Sequence, residues 1–309
     1  MSSNISVVVS TYSKDRLEYL ADCIASLKEQ TLKPAEIILV LDPKPELVEF
    51  YKAKLADVRI AVSQEPGLSN ARNVGVKNSG GEVVAFIDDD AFADKNWLRN
   101  LAKNYEEREI IGVGGQITPL WDKAHGWFPD ELNWILGCTY KGLPEKRGSI
   151  RNPIGCNMSF RREAFEKAGY FRSDIGRFGK KLLSGEEMEF SLRVLEKIPN
   201  SKIMYDPSAI VYHRVDAKKA NLRYLCKRSF YEGVSKSLIT SVAGENTKTA
   251  LSTENQYLKH LLKAAIPSRL KRIYKFQSIS QIFVLTLSSL MVFSGFLAGK
   301  IMNHKERNI

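Results

Sequence analysis

Over the first 120 residues, short apolar runs alternate with stretches whose apolar positions recur at helical spacing. Residues 5–10 (Ile-Ser-Val-Val-Val-Ser) read as a buried parallel strand. Leu17, Leu20, Ala21, Ile24 and Leu27 then fall on one face of a helix. Residues 36–41 form a second strand that ends at Asp42-Pro43, and a helix is expected over 46–55. A strand over 58–62, a turn at Gly67 and a helix over 69–77 follow. Residues 82–87 make the next strand, and a helix is expected over 95–107. This alternation predicts an α/β fold, a mostly parallel central sheet with helices on both faces.

From residue 111 the pattern changes. Residues 112–117 suit another strand. Trp121, Trp127, Phe128, Trp134 and Tyr140 then crowd a stretch without helical period. That stretch reads equally as a loop-rich sugar or acceptor platform and as ordinary core filling. Helices are expected over 160–168 and 186–195, and two short strands over 203–205 and 210–212. Beyond Asn221, helices with basic faces lead to residues 276–299, a run without a charged side chain. As a helix, 24 residues span about 36 Å, enough for a hydrocarbon core of about 30 Å. Lys263, Arg269, Lys271, Arg272 and Lys275 precede the run, and Lys300, Lys305 and Arg307 follow it. The block after Pro267 mixes cations with Ile273 and Tyr274, as interfacial elements do. The expectation is a membrane anchor, either transmembrane or inserted in one leaflet. The heavier basic flank upstream places the large domain at the cytoplasmic face. The implied organisation is 1–220 for the main domain, 221–275 for a basic helical membrane-proximal region and 276–301 for the membrane helix.

Composition narrows the function classes. The chain has 309 residues and a formal net charge of +11, with basic residues thickening after Arg147 and from Lys218 to Lys275. Such a balance points to an anionic partner: nucleic acid, phosphorylated lipid or a membrane face. A nucleic-acid binder needs neither the membrane run nor the acidic cluster described next, so nucleic acid is not expected. Cys23, Cys138, Cys156 and Cys226 are widely spaced with no Cys-x-x-Cys pair. A zinc ribbon or redox motif is therefore not expected. The absence of a signal-peptide pattern points to a reducing cytosol.

Candidate chemistry begins where the strand over 82–87 drives into Asp88-Asp89-Asp90. Like charges repel and lose hydration beside a sheet, and a hard divalent cation relieves both costs. One Asp would serve a following helix N-terminus; three do not fit that role alone. The carboxyl ends of parallel strands are also where open α/β sheets bind ligands. Asp42, at the end of the second strand, is positioned for a nucleotide base or ribose. Gly67 permits a turn, and Arg72, on the helix that follows, is expected to hold the acid cluster or a phosphate. Its plain alternative is a surface salt bridge. Gly185-Glu186-Glu187 opens another helix, where acids also complement the dipole. His213, after a strand, is a candidate third metal ligand.

In order and spacing these motifs resemble the family-2 glycosyltransferases of the GT-A fold, over about residues 4–215. The resemblance rests on Val7-Val8-Val9-Ser10-Thr11-Tyr12, Asp42, the Gly67 to Gly75 segment and Phe86-Ile87-Asp88-Asp89-Asp90. It continues through Gly155-Cys156-Asn157-Met158-Ser159-Phe160-Arg161-Arg162 and Gly185-Glu186-Glu187. It implies a GT-A nucleotide-sugar-binding fold and inverting transfer from a nucleotide-diphosphate sugar, with UDP-sugars the favoured donor class. Asp90 would bind Mg²⁺ or Mn²⁺ directly, with Asp88 and His213 as partners. Thr11, Tyr12, Asp42, Gly67, Arg72, Asp88, Asp89, Asn157 and Glu186 would serve the nucleotide sugar. Glu187 stands where the family's catalytic base, usually Asp, is found, with Glu186 the second candidate. Residues 228–237 also resemble a stretch of archaeal enzymes that extend dolichyl-phosphate glycans, among them glucuronosyltransferases. Together with the basic tail this implies a polyisoprenyl-phosphate-linked acceptor. Rival readings are a synthase charging a bare polyprenyl phosphate, a cell-surface polysaccharide transferase, and a non-catalytic membrane scaffold.

Overall fold

The structure is a computed structural model that describes residues 4–55, 57–121, 126–175, 183–243 and 250–306. Its strands are β1 (Ile5–Thr11), β2 (Glu36–Leu41), β3 (Arg59–Val62), β4 (Val83–Asp88), β5 (Ala91–Ala93), β6 (Ile110–Trp121), β7 (Gly148–Ser149), β8 (Asn157–Arg161) and β9 (Lys202–Val215). They join in one mixed sheet ordered β3-β2-β1-β4-β8-β6-β9-β5, with β7 on β9. The nucleus β3-β2-β1-β4 is parallel. Antiparallel pairing begins at β4–β8 and extends the sheet. The helices are α1 (Leu17–Lys28), α2 (Pro45–Lys54), α3 (Leu68–Asn78), α4 (Trp97–Asn104), α5 (Arg162–Ala168), α6 (Glu186–Lys197), α7 (Leu222–Ala243), α8 (Ser252–His260), α9 (Ile266–Leu270) and α10 (Phe276–Glu306).

The parallel nucleus is buried on both faces, which is why its strands read as continuous apolar runs. Val8, Ile38, Val40, Val84 and Phe86 pack against Ala71 and Val76 of α3, Phe165 of α5 and Phe190 of α6. Alternate residues Val7, Val9, Leu39, Leu41 and Ile87 are also buried. Four expectations change. In α1 the buried positions are Leu20, Cys23, Ile24 and Leu27, and Ala21 is exposed. The helix expected at 160 begins at Arg162, because Phe160 belongs to β8. The two short strands of 203–205 and 210–212 are one strand, β9, and His213 lies inside it. The helix expected over 95–107 is the shorter α4, and β5 intervenes before it.

Gly115 of β6 shows how closely the sheet packs. A Cβ there would sit 2.0 Å from the Ala209 carbonyl oxygen and 2.4 Å from the Asn157 amide nitrogen. The first obstacle is backbone and cannot swing away. Gly115→Ala is expected to destabilise the protein by roughly 1–3 kcal/mol, the usual cost of overpacking, read as a lower midpoint in urea unfolding.

The chain divides into two compact units. The first holds residues 1–118, 144–175 and 186–214; the second holds 119–143, 176–185 and 215–309. Within the second unit, α7 and α10 approach closely at small residues. The Ser229 and Ser288 hydroxyls are 2.9 Å apart. A Cβ on Gly233 would lie 1.9 Å from the Val292 carbonyl oxygen, and one on Gly295 would lie 1.9 Å from that of Phe230. The pairs 229/288, 233/292 and 237/299 advance together, so the two helices run parallel.

Three charged residues of α7, Arg228, Glu232 and Lys236, are paired. Glu232 accepts from Arg228 at 2.8 Å, Lys236 at 3.1 Å and the Ser184 hydroxyl at 2.8 Å. Burial alone would raise the Glu232 pKa, but Lys236 and Arg228 outweigh it and hold the carboxyl well below its usual range. Arg228 and Lys236, two cations of the basic C-terminal region, are thus engaged with Glu232. The aromatic stretch proves to be packing for several of its members. Trp134 donates to the Tyr257 hydroxyl at 3.3 Å, and Tyr140 meets the Tyr257 ring edge-on at 5.5 Å. Among the described residues, one helical stretch, Phe276–Met302, is long and apolar enough to cross a bilayer.

Candidate active site

Strand register brings the acids together. Ser10 pairs with Asp88 across β1 and β4, so Thr11 comes beside Asp89. The Thr11 hydroxyl donates to Asp89 Oδ2 at 2.5 Å. Ile87 pairs with Asn157 across β4 and β8, which brings Cys156 alongside Asp88. Ala91 pairs with His213 across β5 and β9, and His213 Nε2 stands 3.2 Å from Asp90 Oδ1. Ligand atoms of Asp88, Cys156 and His213 all lie within 4.8 Å of one another. A divalent ion with bonds of about 2.0–2.3 Å reaches donors so spaced with small side-chain adjustments. The donor set therefore fits a metal; of the sequence-predicted ligands Asp88 and His213 belong to it, whereas Asp90 adjoins it through His213 and is engaged by Arg16. Cys156 was not foreseen as a donor, although it lies inside a quoted motif.

Arg16, between β1 and α1, was also not foreseen. Its Nη1 lies 2.6 Å from Asp90 Oδ2 and 3.5 Å from Asp89 Oδ1, and its Nη2 donates to the Tyr12 hydroxyl at 3.2 Å. Burial works to lower the Arg16 pKa, but Asp89 and Asp90 outweigh it and raise it, so this guanidinium stays charged. Burial pushes the Asp89 carboxyl up to about 7; neighbouring Asp90 adds to the rise, against Arg16 and the Thr11 hydroxyl. Asp89 is thus held inside the protein, whereas Asp88 keeps a third of its side chain exposed (34%).

Arg72 links this cluster to α6. Gly67, with φ +123°, makes the turn that starts α3, and Arg72 follows on that helix. Its Nη1 lies 3.2 Å from Glu186 Oε1 and 3.1 Å from Glu187 Oε1, and its Nη2 is 4.0 Å from Asp88 Oδ1. Arg72 is buried and its guanidinium stands over the Phe171 ring. Burial lowers its pKa, but Glu187, Glu186 and Asp88 outweigh burial and raise it. Arg72 is buried, so the surface-salt-bridge alternative does not apply; its hydrogen bonds go to Glu186 and Glu187, and of the Asp cluster it approaches Asp88 at 4.0 Å. Gly155 leaves room for the pair: a Cβ there would meet Glu187 Oε1 at 2.2 Å and Arg72 Nη2 at 2.3 Å. The two adjacent glutamates differ in access, with side-chain exposure of 4% for Glu186 and 17% for Glu187.

The remaining candidates separate into two groups. Tyr12 is exposed and Asp42 half-buried at the carboxyl ends of β1 and β2, where the Asp42 amide donates to the Thr11 carbonyl at 3.3 Å. These two line the strand ends with Asp88. Asn157 does not join them. It is fully buried, accepts from the Trp97 indole at 2.8 Å and donates to the Gln116 and Ala209 carbonyls at 2.9 and 2.8 Å. Its amide braces β8 and β9 rather than presenting a group to a nucleotide sugar.

Comparison with known proteins agrees with this arrangement. The profile of Glycosyl transferase family 2 matches residues 6–169. Glucosyl-dolichyl phosphate glucuronosyltransferase of Haloferax volcanii is 31% identical over 284 residues, covering 90% of this chain and 89% of that protein. Succinoglycan biosynthesis protein ExoM of Rhizobium meliloti is 28% identical over 238 residues, covering 74% and 73%. The uncharacterized glycosyltransferase YwdF of Bacillus subtilis is 26% identical over 209 residues, covering 65% and 73%. With acids at the strand ends, an arginine tying them to a helix-borne glutamate pair, and these similarities over most of its length, the chain belongs to glycosyl transferase family 2.

Proposed function

We propose that this glycosyltransferase moves a sugar, with inversion, from a nucleotide-diphosphate sugar to a polyisoprenyl-phosphate-linked glycan at the cytoplasmic face of a membrane. The observation that carries the reading is Arg72, which connects Asp88 at the strand end with Glu187 on α6. Asp88, assigned to the donor, and Glu187, assigned as the base, thus lie on either side of one guanidinium, at 4.0 and 3.1 Å. Tyr12, Asp42 and Asp88 orient the nucleotide, and orientation is worth several kcal/mol of the barrier. Asp90, Asp88 and His213 would hold the ion, with Cys156 alongside. Mg²⁺ and Mn²⁺ both take carboxylate oxygens, and of the two Mn²⁺ accepts an imidazole nitrogen more readily. An ion held by these residues would supply positive charge to stabilise the leaving nucleotide diphosphate. Glu187, the more accessible glutamate, takes the acceptor hydroxyl's proton as that oxygen attacks the anomeric carbon. One displacement inverts the centre and needs no covalent intermediate.

The acceptor class follows from the Haloferax relative, whose name gives a glucosyl-dolichyl phosphate acceptor, and from the basic, apolar C-terminal region. Four free cysteines agree with a reducing compartment. In this reading residues 1–220 are catalytic, 221–275 are membrane-proximal and 276–301 form the membrane helix. The test is transfer by the purified full chain with Mn²⁺, from a panel of labelled nucleotide sugars to short polyprenyl phosphates with and without a first sugar. Label on the glycosylated lipid is expected. Label only on the bare phosphate overturns glycan extension in favour of a single-sugar synthase. No labelled lipid from any donor overturns the lipid acceptor. Asp90→Ala is expected to lower transfer by at least ~100-fold, as loss of a metal's charge stabilisation does. Its Mn²⁺ affinity, read by titration of the free-ion magnetic resonance signal, should fall in parallel; unchanged affinity would remove Asp90 from the ligand set.

A further inference from the structure

The α10 helix has two unlike faces. Ser278, Val284, Leu285, Ser288, Gly295 and Gly299 form a buried face along its length. Much of that face lies on α7, through the Ser229–Ser288 contact and the close approaches at Gly233, Gly295 and Gly299. The opposite face carries Phe276, Ile279, Phe283, Leu290, Phe293, Leu297 and Ile301, all exposed. Their spacing keeps them on one stripe over 25 residues, about 38 Å at 1.5 Å per residue.

A helix that crosses a bilayer alone must be free of polar company. This one is not. Arg228, Glu232 and Lys236 sit one residue ahead of or behind the positions of α7 that touch α10, and they are tied to Ser184 and Glu254. Setting α10 upright in hydrocarbon would carry that ion-pair cluster with it, or would strip α7 away and bare a face of serine and glycine. Neither cost arises if the helix lies flat. The charge pattern fits a flat pose as well. From residue 255 to 305 the chain has no carboxylate and eight lysines and arginines: Lys259, Lys263, Arg269, Lys271, Arg272, Lys275, Lys300 and Lys305. Lys271, Arg272 and Lys275 are exposed together with Leu270, Ile273 and Tyr274, directly ahead of the apolar stripe. Cations beside exposed aromatics and aliphatics are the chemistry of an anionic headgroup layer over acyl chains.

We propose that α10 does not span the membrane but lies in the plane of one leaflet, with the Phe276-to-Ile301 stripe at the acyl boundary. Lys271, Arg272 and Lys275 lie on anionic lipid headgroups, and α7 stays outside the hydrocarbon. This refines the membrane attachment of the proposed function, but it rests on the architecture of the second unit and its test needs no sugar transfer.

The experiment uses the full chain with Cys226→Ser, bound to phosphatidylcholine vesicles with or without phosphatidylglycerol. Nitroxide labels are placed singly at Ile279→Cys, Phe283→Cys, Phe293→Cys and Leu297→Cys, and at Ser288→Cys as the docked control. Depth is read from collisions with oxygen and with a water-soluble nickel chelate. In the flat pose the four stripe labels report one shallow depth, and the Ser288 label meets neither collider. Binding should rise at least tenfold with phosphatidylglycerol and fall with salt. Phe283→Glu with Phe293→Glu should release the protein from vesicles without changing its thermal unfolding. A depth that is greatest near the middle of the helix and shallow at both ends would establish spanning and overturn the proposal. So would lipid contact at the Ser288 label, or no vesicle binding at all.

Discussion

Glu187→Gln is expected to lower transfer by about 10²–10⁴-fold, the contribution typical of a positioned general base. Nucleotide-sugar affinity should change only a few fold and the unfolding midpoint by a few degrees. The amide keeps the volume and a hydrogen-bonding oxygen for Arg72, which now lies 3.1 Å from Glu187 Oε1. What is lost is the capacity to take a proton. Glu186→Gln should behave differently. Glu186 is buried and 3.2 Å from Arg72 Nη1. Neutralising it weakens a buried charge pair, so its main effect should be on stability, by about 1–3 kcal/mol. Measuring product formation, donor binding and urea unfolding for both variants separates the roles. Near wild-type transfer by Glu187→Gln would remove Glu187 as the base. Loss of transfer in Glu186→Gln with unchanged stability would exchange the two assignments.

How much of this was legible in the sequence depended on the physics of each element. β1, β2 and β4 were readable because strands buried on both faces need unbroken apolar runs, and few other structures do. β8 was not, because Phe160 lies at helical spacing from Ala164 and Ala168 as well as in strand alternation with Met158. Between the two strands expected in place of β9 lies Asp206-Pro207-Ser208, which has turn composition. In the fold, Asp206 Oδ1 accepts from the Ser208 amide at 2.9 Å and Oδ2 accepts from Asn104 at 2.7 Å, and the strand continues through the proline. The strand-end acids were conspicuous because three adjacent carboxylates have few structural uses. Cys156 and Arg16 join them only through pairing of β4 with β8 and through the chain's path after β1, and neither leaves a local signal. The apolar stretch of α10 was plain, but the split between its docked and exposed faces depends on α7, some fifty residues away in sequence.

Arg72→Met should be the most destabilising single change in the site, by about 3–5 kcal/mol, the range for removing one partner of a buried ion pair. Arg72 is 3% exposed, and its guanidinium faces Glu186, Glu187 and, more distantly, Asp88. Methionine fills most of the volume but leaves these acids to repel one another in a partly dry site. The penalty should be greater at pH 8 than at pH 5, because protonation relieves uncompensated carboxylates and removes the repulsion. Arg72→Lys should recover only part of the loss. An ammonium restores the charge but cannot fork between two glutamates and reach toward Asp88. The combination Arg72→Met with Glu186→Gln should be less destabilised than the sum of the single changes, since each single change leaves a partner behind. Urea unfolding of the four variants at both pH values measures all of this. Strict additivity together with no pH dependence would mean that Arg72 stabilises through packing on Phe171 alone, and that the acids are held apart by something else.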